Sequence, residues 1–137
     1  MNFFDTNILV YAVDESSPLK RRQAMKIIDE CQADQSFVIS TQVLHELYNA
    51  LTRRFTPAYP HERAASVLTF FAQSRVIPQS VENTLAALEL KTSLKLSWWD
   101  ALIVEAAQRA NANVLYSEDM QHGQRIGDRM KIINPFS

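Results

Sequence analysis

The chain has 137 residues, 47% hydrophobic and 21% charged, which is enough apolar matter for the core of one compact domain spanning 1–137. A net charge of −1 excludes nucleic-acid binding through a global positive field, so such a partner must be held locally. The two glycines, Gly123 and Gly127, are too few for a Walker loop or a dinucleotide fingerprint, which excludes ATP, GTP and NAD chemistry by the common routes.

The lone cysteine, Cys31, permits no intrachain disulfide and suits a reducing compartment. The stretch Met1–Glu15 lacks a basic start and meets an acid at Asp5, unlike a secretion signal. No apolar run approaches the ~18–20 residues of a membrane span. A cytoplasmic location is the expectation.

In chain order, Asn2–Phe4 reads as a short strand and Thr6 or Asn7 opens a helical stretch to about Val13. Ser16-Ser17-Pro18 is a helix-start signal, with Ala24, Ile27, Ile28 and Cys31 at helical spacing behind it. Phe37-Val38-Ile39 predicts a strand, after which Thr41 is expected to cap a helix to about Arg54. A loop with Pro57 and Pro60 follows, then an amphipathic helix over His61–Ser74 carrying Ala64, Val67, Leu68 and Phe71 on one side. The pair of helices around that loop is expected to project as a hairpin. Val76-Ile77 is a small strand closed by Pro78, and Ser80 caps a helix with Leu85, Leu88 and Leu90. Ser97 opens another helix to about Ala110, and Asn113–Tyr116 and Lys131–Ile133 are the last strands. Short apolar strands alternating with helices predict an α/β fold, with helices on both faces of a mainly parallel sheet of about five strands.

Against this frame four acids stand out. Asp5 follows the first strand and Asp119 follows Val114-Leu115-Tyr116, so both fall at the carboxyl edge of the sheet, where open parallel sheets gather ligands. Each also fits the role of a helix or turn cap. Asp100 lies within an apolar stripe made by Ile103, Val104 and Ala107, with Ala101, Glu105, Gln108 and Arg109 on the opposite, polar side. An unpaired carboxylate in that stripe is costly, although Ser97-x-x-Asp100 also fits a capping box. Glu46 sits on the margin of the face formed by Val43, Leu47, Ala50 and Leu51, where a solvated glutamate is equally at home. Acids that converge in a partly buried site must take up protons or recruit a cation. All-oxygen ligands favour Mg²⁺ or Mn²⁺, and such an ion beside acids is an arrangement for phosphodiester cleavage.

These segments resemble a known family. Phe4-Asp5-Thr6-Asn7-Ile8-Leu9-Val10-Tyr11 is similar to the opening of PIN domains. Gln42-Val43-Leu44-His45-Glu46-Leu47, Ser97-Trp98-Trp99-Asp100-Ala101-Leu102-Ile103 and Ser117-Glu118-Asp119-Met120 resemble their later acidic motifs, in order and over nearly the whole chain. The nearest subgroup is the VapC-type toxins of toxin–antitoxin pairs. The resemblance implies a three-layer α/β/α sandwich and an Mg²⁺- or Mn²⁺-dependent endoribonuclease that leaves 5′-phosphate and 3′-hydroxyl ends. It places Asp5, Glu46, Asp100 and Asp119 as catalytic and metal-binding residues, with Asn7 and Ser117 in support. It also implies a homodimer inhibited by a small antitoxin that enters the acidic groove. Glu118 falls at a variable position and receives no role.

The remaining features read as ordinary. Lys20-Arg21-Arg22 with Lys26, and Arg53-Arg54, are basic patches that suit solvated surface or RNA phosphates. Trp98-Trp99 reads first as core or dimer packing and second as a base-stacking platform. His45, His61 and His122 lack zinc-ligand spacing. The rival functions are a catalytically inactive RNA- or partner-binding module, and a phosphatase with Asp5 as nucleophile. The latter lacks the second aspartate two residues on, where Asn7 stands.

Overall fold

In a computed structural model describing residues 1–137, six strands and six helices alternate along the chain. The elements are β1 (Asn2–Phe4), α1 (Thr6–Val13), α2 (Pro18–Ala33), β2 (Phe37–Ser40), α3 (Thr41–Asn49), α4 (His61–Ala72), β3 (Arg75–Ile77), α5 (Val81–Leu94), α6 (Trp98–Arg109), β4 (Val114–Tyr116), β5 (Arg125–Ile126) and β6 (Met130–Ile133). The sheet order is β3-β2-β1-β4-β6-β5, parallel throughout except for β5. The expected five strands are present. The sixth, β5, is a two-residue strand that closes a hairpin onto β6 through Gly127-Asp128-Arg129. Gly127 takes a left-handed backbone there, with φ +61°, which a side chain would strain.

The chain builds outward from β1 to β2 and β3 on one side, then returns to lay β4 on the other. This reversal makes the β1/β4 boundary a topological switch point, where the connections diverge and leave a crevice at the strand ends. Right-handed crossovers put α1 to α4 on one face and α5 with α6 on the other. The helix contacts agree: α1 packs on α2 and α3, α3 on α4, and α5 on α6.

Several local expectations change. Ser40, not Thr41, holds the cap position of α3, and its buried hydroxyl has no hydrogen-bond partner. The helix from Thr41 does not stay α-helical to Arg54. Residues Ala50–Arg54 widen into a π-helical turn in which the Phe55 amide donates to the Ala50 carbonyl at 3.1 Å. The α3–α4 pair does not stand off as a hairpin, because Leu47, Leu51, Ala64 and Phe71 all join the main core. The side of α6 expected to be polar is covered in its first half, where Ala101 packs with Ala87 of α5, while Gln108 stays exposed. Glu105 is buried beside Arg109, with an N–O distance of 2.7 Å. Conversely, Leu85 and Leu88 of α5 face outward, with Val81 on the same stripe.

The main core comprises 28 buried residues drawn from both helical layers and the sheet, including Phe3, Phe4, Ile39, Leu51, Ile103 and Ile132. No helix is long and apolar enough to cross a membrane. Because Leu51 anchors the π-helical turn with its side chain wholly enclosed, Leu51→Ala is expected to cost about 2–5 kcal/mol of stability, checked by urea unfolding.

Candidate active site

Asp5 lies directly beyond β1, its backbone amide still bonded across to the Tyr116 carbonyl of β4 at 2.9 Å. Its side chain starts α1, accepting from the Thr6 amide at 2.7 Å, so the capping role is real. It does not exhaust the carboxylate. The second oxygen accepts from the Ser117 hydroxyl at 2.8 Å and lies 3.5 Å from the Asn7 amide nitrogen. Asp5 is buried, and no cation reaches it. Burial therefore dominates and pushes its pKa up to about 7, against the Ser117 and Thr6 hydrogen bonds, with the charges of Asp100 and Glu46 adding to the rise.

The other acids come from three different elements. Glu46, one and a half turns into α3, accepts from the Thr6 hydroxyl and from Gln42 Nε2 at 3.2 Å. Asp100 lies in the first turn of α6, where Ser97 Oγ accepts from its amide at 3.2 Å. The reciprocal bond from the Asp100 carboxylate to the Ser97 amide, which would complete a capping box, is not formed. The carboxyl pKa of Asp100 is raised, first by burial, against the Ser97 hydrogen bond, and further by the charges of Asp119 and Glu46. Asp119 is exposed on the bend after β4, with no helix following for it to cap, and accepts from Asn7 Nδ2 at 3.0 Å.

All four acids line one open cleft of about 1290 Å³ at the carboxyl edge of the sheet. Asn7 lies between two of them: its amide nitrogen donates to Asp119 and approaches Asp5, while its oxygen accepts from the Glu118 amide at 3.2 Å. Ser117 is fully buried beneath the cleft, donating to Asp5 and accepting from the Asp119 amide at 3.2 Å. None of the four acids has an ion-pair partner.

Four contributors were not singled out by the sequence. Thr6 and Gln42 hold Glu46, and Gln42 stands at i−4 from Glu46 on the same helix, a spacing that could have marked the pair. Lys20, read as solvated surface, instead reaches Glu118 Oε2 at 2.5 Å and Tyr11 at 3.3 Å, with its ammonium 4.7 Å from the Tyr11 ring centroid. Tyr11 also donates to Glu118 Oε1 at 2.7 Å. Burial alone would lift the Glu118 carboxyl, but the Lys20 and Tyr11 hydrogen bonds hold it below its ordinary value. Trp98 packs inward against Ala87, Ala101 and Leu102, whereas Trp99 is exposed at the cleft.

The buried Asp5 gives a pH dependence of definite sign. Its folded pKa of about 7 lies above the unfolded value, so between roughly pH 4 and 7 the folded state keeps a proton that the unfolded chain releases. In chelator, stability should therefore fall as pH rises through that window, by roughly a few kcal/mol. Thermal unfolding in EDTA from pH 5 to 8 checks this. Asp5→Asn should flatten the slope, and a midpoint that climbs with pH would contradict the assignment.

The PIN domain family model matches residues 3–125, a span that contains all four acids. No curated protein matches the chain. Among solved structures, a chain of a toxin–antitoxin complex from Klebsiella pneumoniae is 18% identical with a TM-score of 0.74, the alignment covering 98% of each chain. A chain of VapBC2 from Rickettsia felis, bound to a DNA fragment from its promoter, is 24% identical over 86% of this chain and 87% of that one, with a TM-score of 0.64. VapC20 of Mycobacterium tuberculosis, a toxin that cleaves the sarcin–ricin loop, is 18% identical over 87% and 92%, with a TM-score of 0.63. At these identities the likeness is one of fold. With the family model running from within β1 to the start of β5 and taking in every acid of the cleft, the chain belongs to the PIN domain family.

Proposed function

We propose that the protein is a metal-dependent endoribonuclease of the VapC type, the toxin of a cytoplasmic toxin–antitoxin pair. The observation that carries this reading is the set of four carboxylates at one switch-point cleft, none of which forms an ion pair. The donor set fits a hard divalent ion, Mg²⁺ or Mn²⁺. The four candidate ligands are all carboxylates, and a buried acid with a raised pKa gains most from a positive neighbour. No three acids close on a single point. That spread suits Mg²⁺, which usually takes only one or two carboxylates and keeps several waters and substrate oxygens. The ion, when bound, supplies Lewis-acid polarisation of the phosphoryl oxygen and a water of lowered pKa.

The chain's own residues do the rest. Asp5 gives up its proton as positive charge arrives, and Ser117 and Thr6 keep its two oxygens aimed. Asn7 spaces Asp119 from Asp5, and Gln42 with Thr6 fixes Glu46. The Lys20–Glu118–Tyr11 cluster pins the bend that carries Asp119, the one exposed member of the four, and so acts by positioning.

The Klebsiella and Rickettsia structures with this fold are toxin–antitoxin assemblies, and the Mycobacterium toxin cleaves an RNA loop. We extend both properties to this chain: RNA as substrate and a small antitoxin as inhibitor. The exposed Val81, Leu85 and Leu88 stripe supports a homodimer.

Two experiments test the site. Asp100→Asn removes one of several mutually repelling charges, so unfolding in EDTA should show stability level or raised. RNA cleavage in Mg²⁺ or Mn²⁺ should fall by more than the ~10–100-fold typical of losing an outer-shell partner. A destabilised but active variant would make Asp100 a helix cap only, and full cleavage by wild type in EDTA would sink the metal reading. Lys20→Met discriminates by sign. If Lys20 were only a nearby positive charge, removing it would tighten Mn²⁺ binding. As a positioning residue its loss should weaken Mn²⁺ binding, by about tenfold, with Lys20→Arg restoring affinity in an Mn²⁺ titration.

A further inference from the structure

Two side chains of the cleft wall have no part in holding the acids. Trp99 is 61% exposed, yet its backbone is fixed: Gln42 Nε2 donates to its carbonyl at 3.2 Å and to Glu46 Oε2 at the same distance. Trp98 turns inward on the same helical turn, leaving the Trp99 indole presented at the cleft without a hydrogen bond of its own. The second side chain is Arg54, the last residue of the π-helical turn. It is the only lysine or arginine lining the cleft, among six aspartates and glutamates, and it forms no ion pair.

Their placement has a scale. The cleft wall follows α3 and its π-helical extension, with Gln42, Glu46, Asn49 and Arg54 all lining it. Gln42 marks the Trp99 end, Glu46 lies between, and Arg54 is the far end. Twelve residues of helix cover roughly 18 Å, which exceeds the reach of one nucleotide and suits a short run of backbone. A free cation at one end answers a phosphate, and an unpartnered indole at the other offers a flat surface of the kind on which unpaired bases stack.

We propose that Trp99 and Arg54 are the two ends of a single-strand RNA track laid across the acids, with an unpaired base stacked on Trp99 and a backbone phosphate held by Arg54. This rests on the nuclease reading and assigns the two side chains that would hold the strand. Stacking needs an open base face, which a duplex hides, so the track takes loop or single-stranded RNA and rejects a continuous helix.

The probe is a short single-stranded oligoribonucleotide, the same oligonucleotide made abasic, and its annealed duplex. In EDTA the single strand should quench wild-type indole fluorescence. The Trp99-dependent part should vanish in Trp99→Phe and be absent with the abasic probe. In Mg²⁺ or Mn²⁺, Trp99→Leu should lower kcat/KM on the single strand about 10- to 100-fold, with Trp99→Phe partly restoring it and the thermal midpoint unchanged. Arg54→Ala should weaken binding to all single strands alike and reduce the slope of log affinity against log salt by about 0.7, the loss of one phosphate contact. Equal activity of Trp99→Leu, no quenching, or preference for the duplex would overturn the proposal. So would a Trp99→Leu variant whose only change is in sedimentation, since Trp99 would then be a subunit contact. Quenching by RNA in a wild type that cleaves none would leave the track standing and remove the nuclease reading.

Discussion

A carboxylate taken out of water with nothing positive beside it is among the most expensive groups a protein can carry. Asp5 is placed there by the sheet itself, one residue past β1 and beside β4, where the backbone of Asp5 still pairs with Tyr116. Much around it reads as accommodation. Thr6 and Ser117 donate to its oxygens, Asn7 spans the gap to Asp119, and the hydroxyl of Thr6 turns away to hold Glu46. These bonds compensate only in part, since the net effect of the surroundings is still to favour the protonated acid. The residual deficit is what a divalent ion would relieve. In a site organised this way, stability is sacrificed locally in exchange for affinity toward positive charge.

The fold was legible because its signals are local and periodic. Strand-forming triplets alternate with helical stripes, and caps such as Ser80 and Ser97 lie where their hydroxyls accept from the third helical amide. What escaped reading was set by partners far away in the chain. Glu105 looks like a surface residue from its neighbours in sequence, yet the folded chain buries it beside Arg109. Lys20 sits in a basic run, and nothing local indicates that it meets Glu118, 98 residues later. The π-helical widening at Ala50–Arg54 likewise leaves no mark in a hydrophobic stripe that runs on through Leu51.

The acids were the easier half of the site, because a carboxylate at a strand end or in an apolar stripe conflicts with its surroundings and so announces itself. The residues that aim them, Thr6, Gln42, Tyr11 and Lys20, conflict with nothing local and stayed invisible. Asp5 and Asp100 also show that a helix-starting bond and a place in the cleft are compatible in one residue. The first oxygen of Asp5 serves the helix while the second faces Ser117, and at Asp100 the backbone amide makes the helix-starting bond to Ser97 while the carboxylate lines the cleft.

The strand order has a consequence for synthesis. β1 is made first, yet its neighbour β4 is among the last parts of the sheet to be made, after all six helices. A growing chain on the ribosome can assemble the β3-β2-β1 half with Asp5 and Glu46 in place, but β1 stays an open edge. Asp119 and the Ser117 hydroxyl do not yet exist. The cleft is therefore completed late in translation, and a nascent chain carries no more than two of its four acids for most of its synthesis.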